Sequence, residues 1–395
     1  MGSLVADRLR GIEASATLAL AAKAKALRQA GKPVLDFTAG EPDFPTPQAI
    51  KDAAIQAIQH NHTKYTAAAG IPELRGAIAN DLGRRLGPPG YDGVEVIVSC
   101  GAKHVLYNAL QAICEPGDEV IVLAPYWVSY VPLVQLADAQ PKIVQMREAD
   151  QFQPDPSEIE KSINDRTKAI ILNSPSNPTG AVIGEQRLKE IADVIKRKSQ
   201  GDQLIVISDE IYDQIVFEPA KSPSIFTVAP QLREQIIIVN GVSKAYSMTG
   251  WRIGYAAGPK NIIDAMTTLQ SHSTSNPTSI SQYAALAAIT GDQSSVSEMR
   301  NEFQHRRDRL VNGLNQLPGL SCVMPQGAFY AWGNIGKLKQ PAEAIAARWL
   351  EDALVAVVPG EGFGSKDHVR FSFATSMNVI DEGLASLKDW LAKHS

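Results

Sequence analysis

Lys244 and Arg252 stand eight residues apart in GVSKAYSMTGWRIG, residues 241–254 of a 395-residue chain. Their types suit a site that handles a carbonyl group. A lysine held in a water-poor setting loses its proton and attacks a carbonyl carbon, while an arginine grips an anion with a planar fork of donors. The stretch follows the apolar β-branched run 236–239, which reads as a buried strand, so Lys244 falls just past a strand's carboxyl end. Open α/β sheets bind their ligands along that edge. Taken bare, such a pair is more often two solvated surface charges, and the reading needs partners from other segments.

Several segments offer them. Ser99-Cys100-Gly101-Ala102 ends a strand at 94–98 and opens a helix, whose free N–H groups and positive dipole end favour an anion. One glycine is a weak phosphate signal. NSPSNPTG, 173–180, places Asn177 after a strand at 169–172, although an Asn-Pro turn alone would explain it. Asp209 ends the apolar run of LIVISDEIYDQ, where it is either a helix cap or a carboxylate with a partner, and Tyr212 lies three residues on. Trp127, in APYWVSY after a strand at 119–123, can cover a planar ring or pack in a core. Gly40, in TAGEPDFPTP, lets backbone approach a ligand closely, or is part of a linker.

A lysine, an anion nest, an arginine, an acid, a tyrosine, an amide and an indole on one rim fit a flat cationic ring with a phosphate arm and an aldehyde. Pyridoxal phosphate is such a group. Lys244 would form the Schiff base, Asp209 would keep the ring nitrogen protonated, and Arg252 with the nest would take the phosphate.

The elements that must position these residues are those of an α/β protein. From residue 94 the pattern alternates strand, turn and helix, with strands at 94–98, 119–123, 142–146, 169–172, 204–208, 236–239 and 253–256. Seven strands imply a mostly parallel sheet between helices. Beyond about residue 297 a charged helix, 298–317, leads into an αββαβα run, a smaller α+β domain. The expected division is 1–46, an N-terminal segment packing with the small domain, 47–296, the large domain, and 297–395, the small one.

Composition narrows the functional class. A net charge of −4 argues against nucleic acid or an anionic membrane as partner. Three scattered cysteines fit a reducing compartment, and no Cys/His cluster suggests a metal. The N-terminus lacks a signal-peptide pattern, so a cytoplasmic location is expected.

The chain resembles the class I, fold-type I aminotransferases dependent on pyridoxal phosphate. The match lies in their aspartate aminotransferase subgroup of bacteria and plant plastids. It runs through TAGEPDF, KYT, GAK, PYWVSY, NSPSNPTG, SDEIY, SKAYSMTGWR, PQGAFY and HVRFSFATS in order. The resemblance implies that Lys244 is the Schiff-base lysine and then the proton-moving base, that Asp209 pairs with the ring nitrogen, and that Tyr212 and Asn177 bond the ring hydroxyl. It places Trp127 on the ring, and Gly101, Ala102, Lys103, Ser243 and Arg252 at the cofactor and its phosphate. Tyr65 would reach that phosphate from the neighbouring subunit of a homodimer. Arg370, with Asn177 and Gly40, would hold the substrate α-carboxylate, and Lys103, with Ser15 and Thr17 closing over it, the distal one. A dicarboxylic amino acid is then the expected substrate, aspartate donating to 2-oxoglutarate by a ping-pong route; the alternative is a bifunctional enzyme that also takes prephenate.

Two departures stand out. Many relatives carry a serine where this chain has Gly241, and the other large aspartate aminotransferase branch has an arginine in the loop here occupied by 271–276, which contains none. A lyase on the same scaffold would keep Lys244 and Asp209 without needing Lys103 and Thr17. A regulator would need a basic N-terminal DNA-binding segment, which residues 1–40 do not offer.

Overall fold

The computed structural model describes residues 16–199 and 203–394, together with positions 6, 9 and 12; the side chains of 16–21 and 25 fall outside it. Ser15, and the side chain of Thr17, therefore lie outside the described residues.

Helix α1 (Ala16–Gln29) leads to a two-residue strand β1 (Leu35–Asp36), then helices α2 (Gln48–Gln59) and α3 (Pro72–Leu86). Strands β2 (Val96–Ser99), β3 (Glu119–Ala124), β4 (Gln140–Gln145), β5 (Thr167–Asn173), β6 (Ile205–Asp209), β7 (Ile236–Gly241) and β8 (Gly254–Ala257) form one sheet in the order β2-β8-β7-β6-β5-β3-β4. Every neighbouring pair is parallel except those that involve β8, which runs against both β2 and β7.

Alternation along the strands builds two cores from one sheet. Ile170, Leu172, Ile236 and Ile238 face a cluster with the α3 residues Leu74, Ile78 and Leu82. Ala169, Ile171, Ile237 and Val239 face another with Val105, Leu106 and Leu110 of α4 (Ala102–Ile113). With both faces covered, near-continuous apolar runs are what these strands require, which is why they are conspicuous in the sequence.

The seven strands were anticipated, with shifted boundaries. The strand expected at 94–98 begins at Val96 because Gly93–Glu95 closes a 3₁₀ turn, capped where the Asp92 N–H donates to Glu95. The strand expected at 253–256 is Gly254–Ala257. Helix α5 (Tyr130–Leu136) and the alanine-rich helix Ser279–Thr290 lack a clear polar face and were not anticipated.

The remaining strands are β9 (Ser321–Cys322), β10 (Tyr330–Asn334), β11 (Val355–Ala356), β12 (Val358–Pro359) and β13 (His368–Ser372). Four of them make an antiparallel sheet, β12-β13-β10-β9, and β11 pairs in parallel with β1. Behind them lies a third core, rich in aromatics, that includes Phe303, Phe329, Trp349, Phe371, Phe373 and Trp390. The N-terminal residues join this side of the molecule, with Ala24 and Val34 packed against Leu350 and Ala356. The helix expected at 298–317 is Ser294–Leu314, and the next one spans Ala342–Asp352.

Candidate active site

The carboxyl edges of β2, β3, β5, β6 and β7 open onto one cleft of about 730 Å³, which β10 and β13 close from the other side. Its walls carry Gly40, Ala102, Lys103, Trp127, Asn177, Asp209, Tyr212, Ser243, Lys244, Arg252 and Arg370. Nearly all the residues singled out in the sequence are thus brought together. Gly101, at the α4 cap, touches this wall through Arg252. Tyr65 is separate, 89% exposed on the chain's surface.

Lys244 follows β7 at the sheet edge and donates from Nζ to the Gly40 carbonyl oxygen at 2.5 Å. Displacement of water around it lowers its pKa to about 8, and Arg370 and Arg252 add to that shift while Glu41 and Asp209 oppose it. The amine can therefore exchange a proton near neutral pH. Asp209 ends β6, buried at 3% exposure. Burial pushes its carboxyl up to about 6 against the hydroxyl of Tyr130, which donates to Asp209 Oδ2 at 2.6 Å. The Ile211 N–H donates to Oδ1 at 3.3 Å, so Asp209 caps the turn after the strand and also faces the cleft.

Arg370 comes from β13 and is buried at 3% exposure. Its Nη1 donates to Asn177 Oδ1 at 3.0 Å and its Nη2 to the Thr38 carbonyl at 3.2 Å. Its Nε is buried with no hydrogen-bond partner, and no carboxylate pairs with it among the described residues. A buried guanidinium with donor capacity to spare suits a carboxylate. Lys103, in the first turn of α4, lies with Nζ 5.0 Å from the centre of the Trp127 indole. Burial, then Arg252, lowers its pKa, and it too makes no ion pair among the described residues.

Gly101 caps α4 with φ +85°, and a Cβ there would fall 2.2 Å from Arg252 Nη2. Only glycine lets the guanidinium lie against this helix start. The Gly101 N–H donates to Ser99 O at 2.7 Å, which leaves those of Ala102 and Lys103 as first-turn donors. Arg252 Nη1 donates to the Thr249 carbonyl at 2.7 Å.

The family described as "Aminotransferase class I and II" matches residues 32–387. A protein named aspartate aminotransferase from Geobacillus stearothermophilus is 48% identical, over 95% of this chain and 96% of its own. One from Cereibacter sphaeroides named aspartate/prephenate aminotransferase is 44% identical over 99% of each chain. The solved structure of Thermus thermophilus aspartate aminotransferase with maleate superposes with a TM-score of 0.93 at 41% identity, over 98% of this chain and all of that one. The chain belongs to the class I and II aminotransferase family.

In this aminotransferase Gly241 has a structural reason. It pairs in register with Gly254 across β7 and β8, and a Cβ on it would lie 2.9 Å from both Gly254 Cα and the Ile253 carbonyl oxygen. Gly254 in turn clears the start of α4, where a Cβ would sit 2.2 Å from the Ala102 nitrogen. The two glycines let the antiparallel strand β8 press against its neighbour and against the helix start. A serine at position 241 has no room in that arrangement.

Sequence reasoning passed over two tyrosines that the aminotransferase brings to the site. Tyr130, which bonds Asp209, begins α5 three residues after Trp127, and its ring meets the indole edge-on at 5.4 Å. Tyr330 starts β10 and touches both Tyr212 and Arg370. Both sit inside the motifs PYWVSY and PQGAFY, but only the fold shows which way they point. Among the described residues no helix is long and apolar enough to cross a membrane, and no group of histidine, cysteine or acidic side chains could hold a metal ion.

Proposed function

We propose that this aminotransferase moves the amino group of L-aspartate to 2-oxoglutarate, with pyridoxal phosphate as its cofactor. The observation that carries this reading is that Arg370 and Lys103, in a cleft whose floor holds Lys244 and Asp209, have no carboxylate partner among the described residues. A substrate with two carboxylates neutralises both.

The residues suit the cofactor. Lys244 would bond its carbonyl carbon, Asp209 its ring nitrogen and Tyr212 with Asn177 its ring hydroxyl. Trp127 would cover its face. Its phosphate would take Arg252, Ser243 and the first-turn amides of Ala102 and Lys103 beside Gly101. Bound there, the cofactor supplies an electrophilic carbon for amines and a sink for the charge left when Cα loses its proton.

The chain's own part is positioning and proton transfer. Arg370 seats the α-carboxylate with Asn177 and the Gly40 backbone, and Lys103 seats the distal one, with Ser15 and Thr17 assigned to closing over it. Held at both ends, the substrate presents its Cα–H on the side of Lys244. Lys244, with its pKa near 8, takes that proton at Cα and returns it elsewhere, and reverses the sequence with the keto acid as acceptor. Asp209, kept anionic by Tyr130, holds a positive charge opposite it.

We assign 1–46 to an N-terminal segment packing with the small domain, 47–296 to the large domain and 297–395 to the small one, and infer a homodimer in the cytoplasm. Tyr65, exposed in the single chain, is assigned to the partner subunit's phosphate site. The Cereibacter sphaeroides relative's name favours prephenate as a second acceptor. Half-reaction spectra of the bound cofactor with aspartate, glutamate, phenylalanine and arogenate test both readings. Aspartate and glutamate should convert the cofactor fully at the lowest concentrations, and a preference for phenylalanine would defeat the assignment.

A further inference from the structure

We propose that Tyr330 is a positioning residue for this reaction, its hydroxyl donating to Tyr212 and its ring seating the Arg370 guanidinium. The inference rests on the functional reading above. Tyr330 is 1% exposed at the start of β10, in register with Ser372 and so two residues from Arg370 across the β10–β13 ladder. Its hydroxyl oxygen lies 3.0 Å from that of Tyr212, with the two rings edge to face. The Arg370 guanidinium is 4.3 Å from its ring centre, and Phe363 lies 5.1 Å from the same carbon. One side chain thus touches the group assigned to the cofactor's ring oxygen and the group assigned to the substrate carboxylate.

The direction of the tyrosine pair follows from proton count. Each hydroxyl has one proton, and only one can donate within the pair. Tyr212 lines the cleft, and a ring oxygen placed there as an anion claims its proton. Tyr330 must then be the donor to Tyr212. A donor to the back of a donor strengthens it, because chained hydrogen bonds polarise one another. The cation on the Tyr330 face works in the same direction, drawing charge from the ring.

The hydroxyl and the ring can be separated by substitution. Tyr330→Phe removes the donor and keeps the face beneath Arg370; Tyr330→Leu removes both. The first readout is the pH at which the absorbance of the bound cofactor changes, without substrate; the second is KM for aspartate. In Tyr330→Phe the ring oxygen is a less stable anion and its neighbourhood holds a proton more tightly. The absorbance midpoint should rise by roughly 0.3 to 1 pH unit, the scale of mutual strengthening in a hydrogen-bond chain, with KM within about twofold of wild type. Tyr330→Leu should raise the midpoint equally and KM by about tenfold or more, as the seat under Arg370 is lost. Adding Tyr330→Phe to Tyr212→Phe should leave the midpoint of the latter where it is. The proposal is overturned if Tyr330→Phe does not move the midpoint, or moves it equally whether or not Tyr212 is present. A wild-type protein with no such absorbance would instead defeat the functional reading itself.

Discussion

The Tyr130 hydroxyl donates to the Asp209 carboxylate at 2.6 Å, with both side chains sealed from solvent at 2% and 3% exposure. A neutral O–H donor favours the charged form of a buried acid, and here it offsets part of the burial that lifts Asp209 to about 6. Tyr130→Phe should therefore raise the Asp209 pKa by about 1 to 2 units, the worth of one hydrogen bond to a charged group. With the Asp209 anion assigned to the cofactor's ring nitrogen, the acid limb of the kcat profile should move to higher pH and the rate at pH 7 fall about two- to tenfold. An unchanged acid limb would show that Asp209 owes its charge to something else.

Lys103→Ala removes one of the cleft cations that have no carboxylate partner among the described residues. KM for aspartate and for 2-oxoglutarate should rise about 10- to 100-fold, the scale of one charge-assisted hydrogen bond, while a neutral amino acid is affected far less. Steady-state kinetics with both substrate types decide it. Equal losses would remove Lys103 from the distal-carboxylate role.

Gly241→Ser tests why the chain lacks the serine found in many relatives. With 2.9 Å contacts awaiting its Cβ on backbone atoms of β8, the variant should lose about 1 to 3 kcal/mol in urea unfolding. It should gain no affinity for the cofactor, because the side chain enters by displacing a strand. Tighter cofactor binding with undiminished stability would contradict the packing described.

Glu210, one residue beyond Asp209, is a buried acid with a different role. Its Oε1 accepts from the Ser208 and Ser224 hydroxyls at 2.8 and 2.6 Å, and burial raises its pKa from 4.5 to about 7. The folded protein therefore binds more protons than the unfolded one between about pH 4.5 and 7. Stability attributable to this group falls as pH rises through that window and is constant above it. Glu210→Gln keeps the acceptor oxygen and removes the titration. Its unfolding free energy should fall less steeply over the window and exceed wild type above pH 7 by on the order of 3 kcal/mol. Parallel curves for the two proteins would refute the shift.

Much of this was legible in the chain because buried parallel strands advertise themselves. Runs such as 236–239 and 204–207 are apolar on both faces, so the residues that follow them, Lys244 and Asp209, could be assigned to one rim. What periodicity does not carry is direction. Nothing in GYAA tells that β8 runs against its neighbours, and that reversal is what puts Gly254 opposite Gly241 and Arg252 beside Gly101. Side-chain aim is hidden likewise: Tyr130 and Tyr330 sit in segments of good aromatic pattern, where core packing is the ordinary reading, and only the crossing of elements distant in sequence turns their hydroxyls toward Asp209 and Tyr212.

The hydrogen bond from Lys244 to the Gly40 carbonyl has a mechanical side. Four residues before Gly40 the chain is stitched to β11 through β1, and Thr38 between them accepts from Arg370. The backbone 36–40 is thus a strap with one end sewn to the smaller sheet and the other hooked on the reactive amine. Were Lys244 to turn to another partner, the far end would still be pinned, Glu41 by Thr249 and Asp43 by Arg306, so the strap keeps its place without the hook.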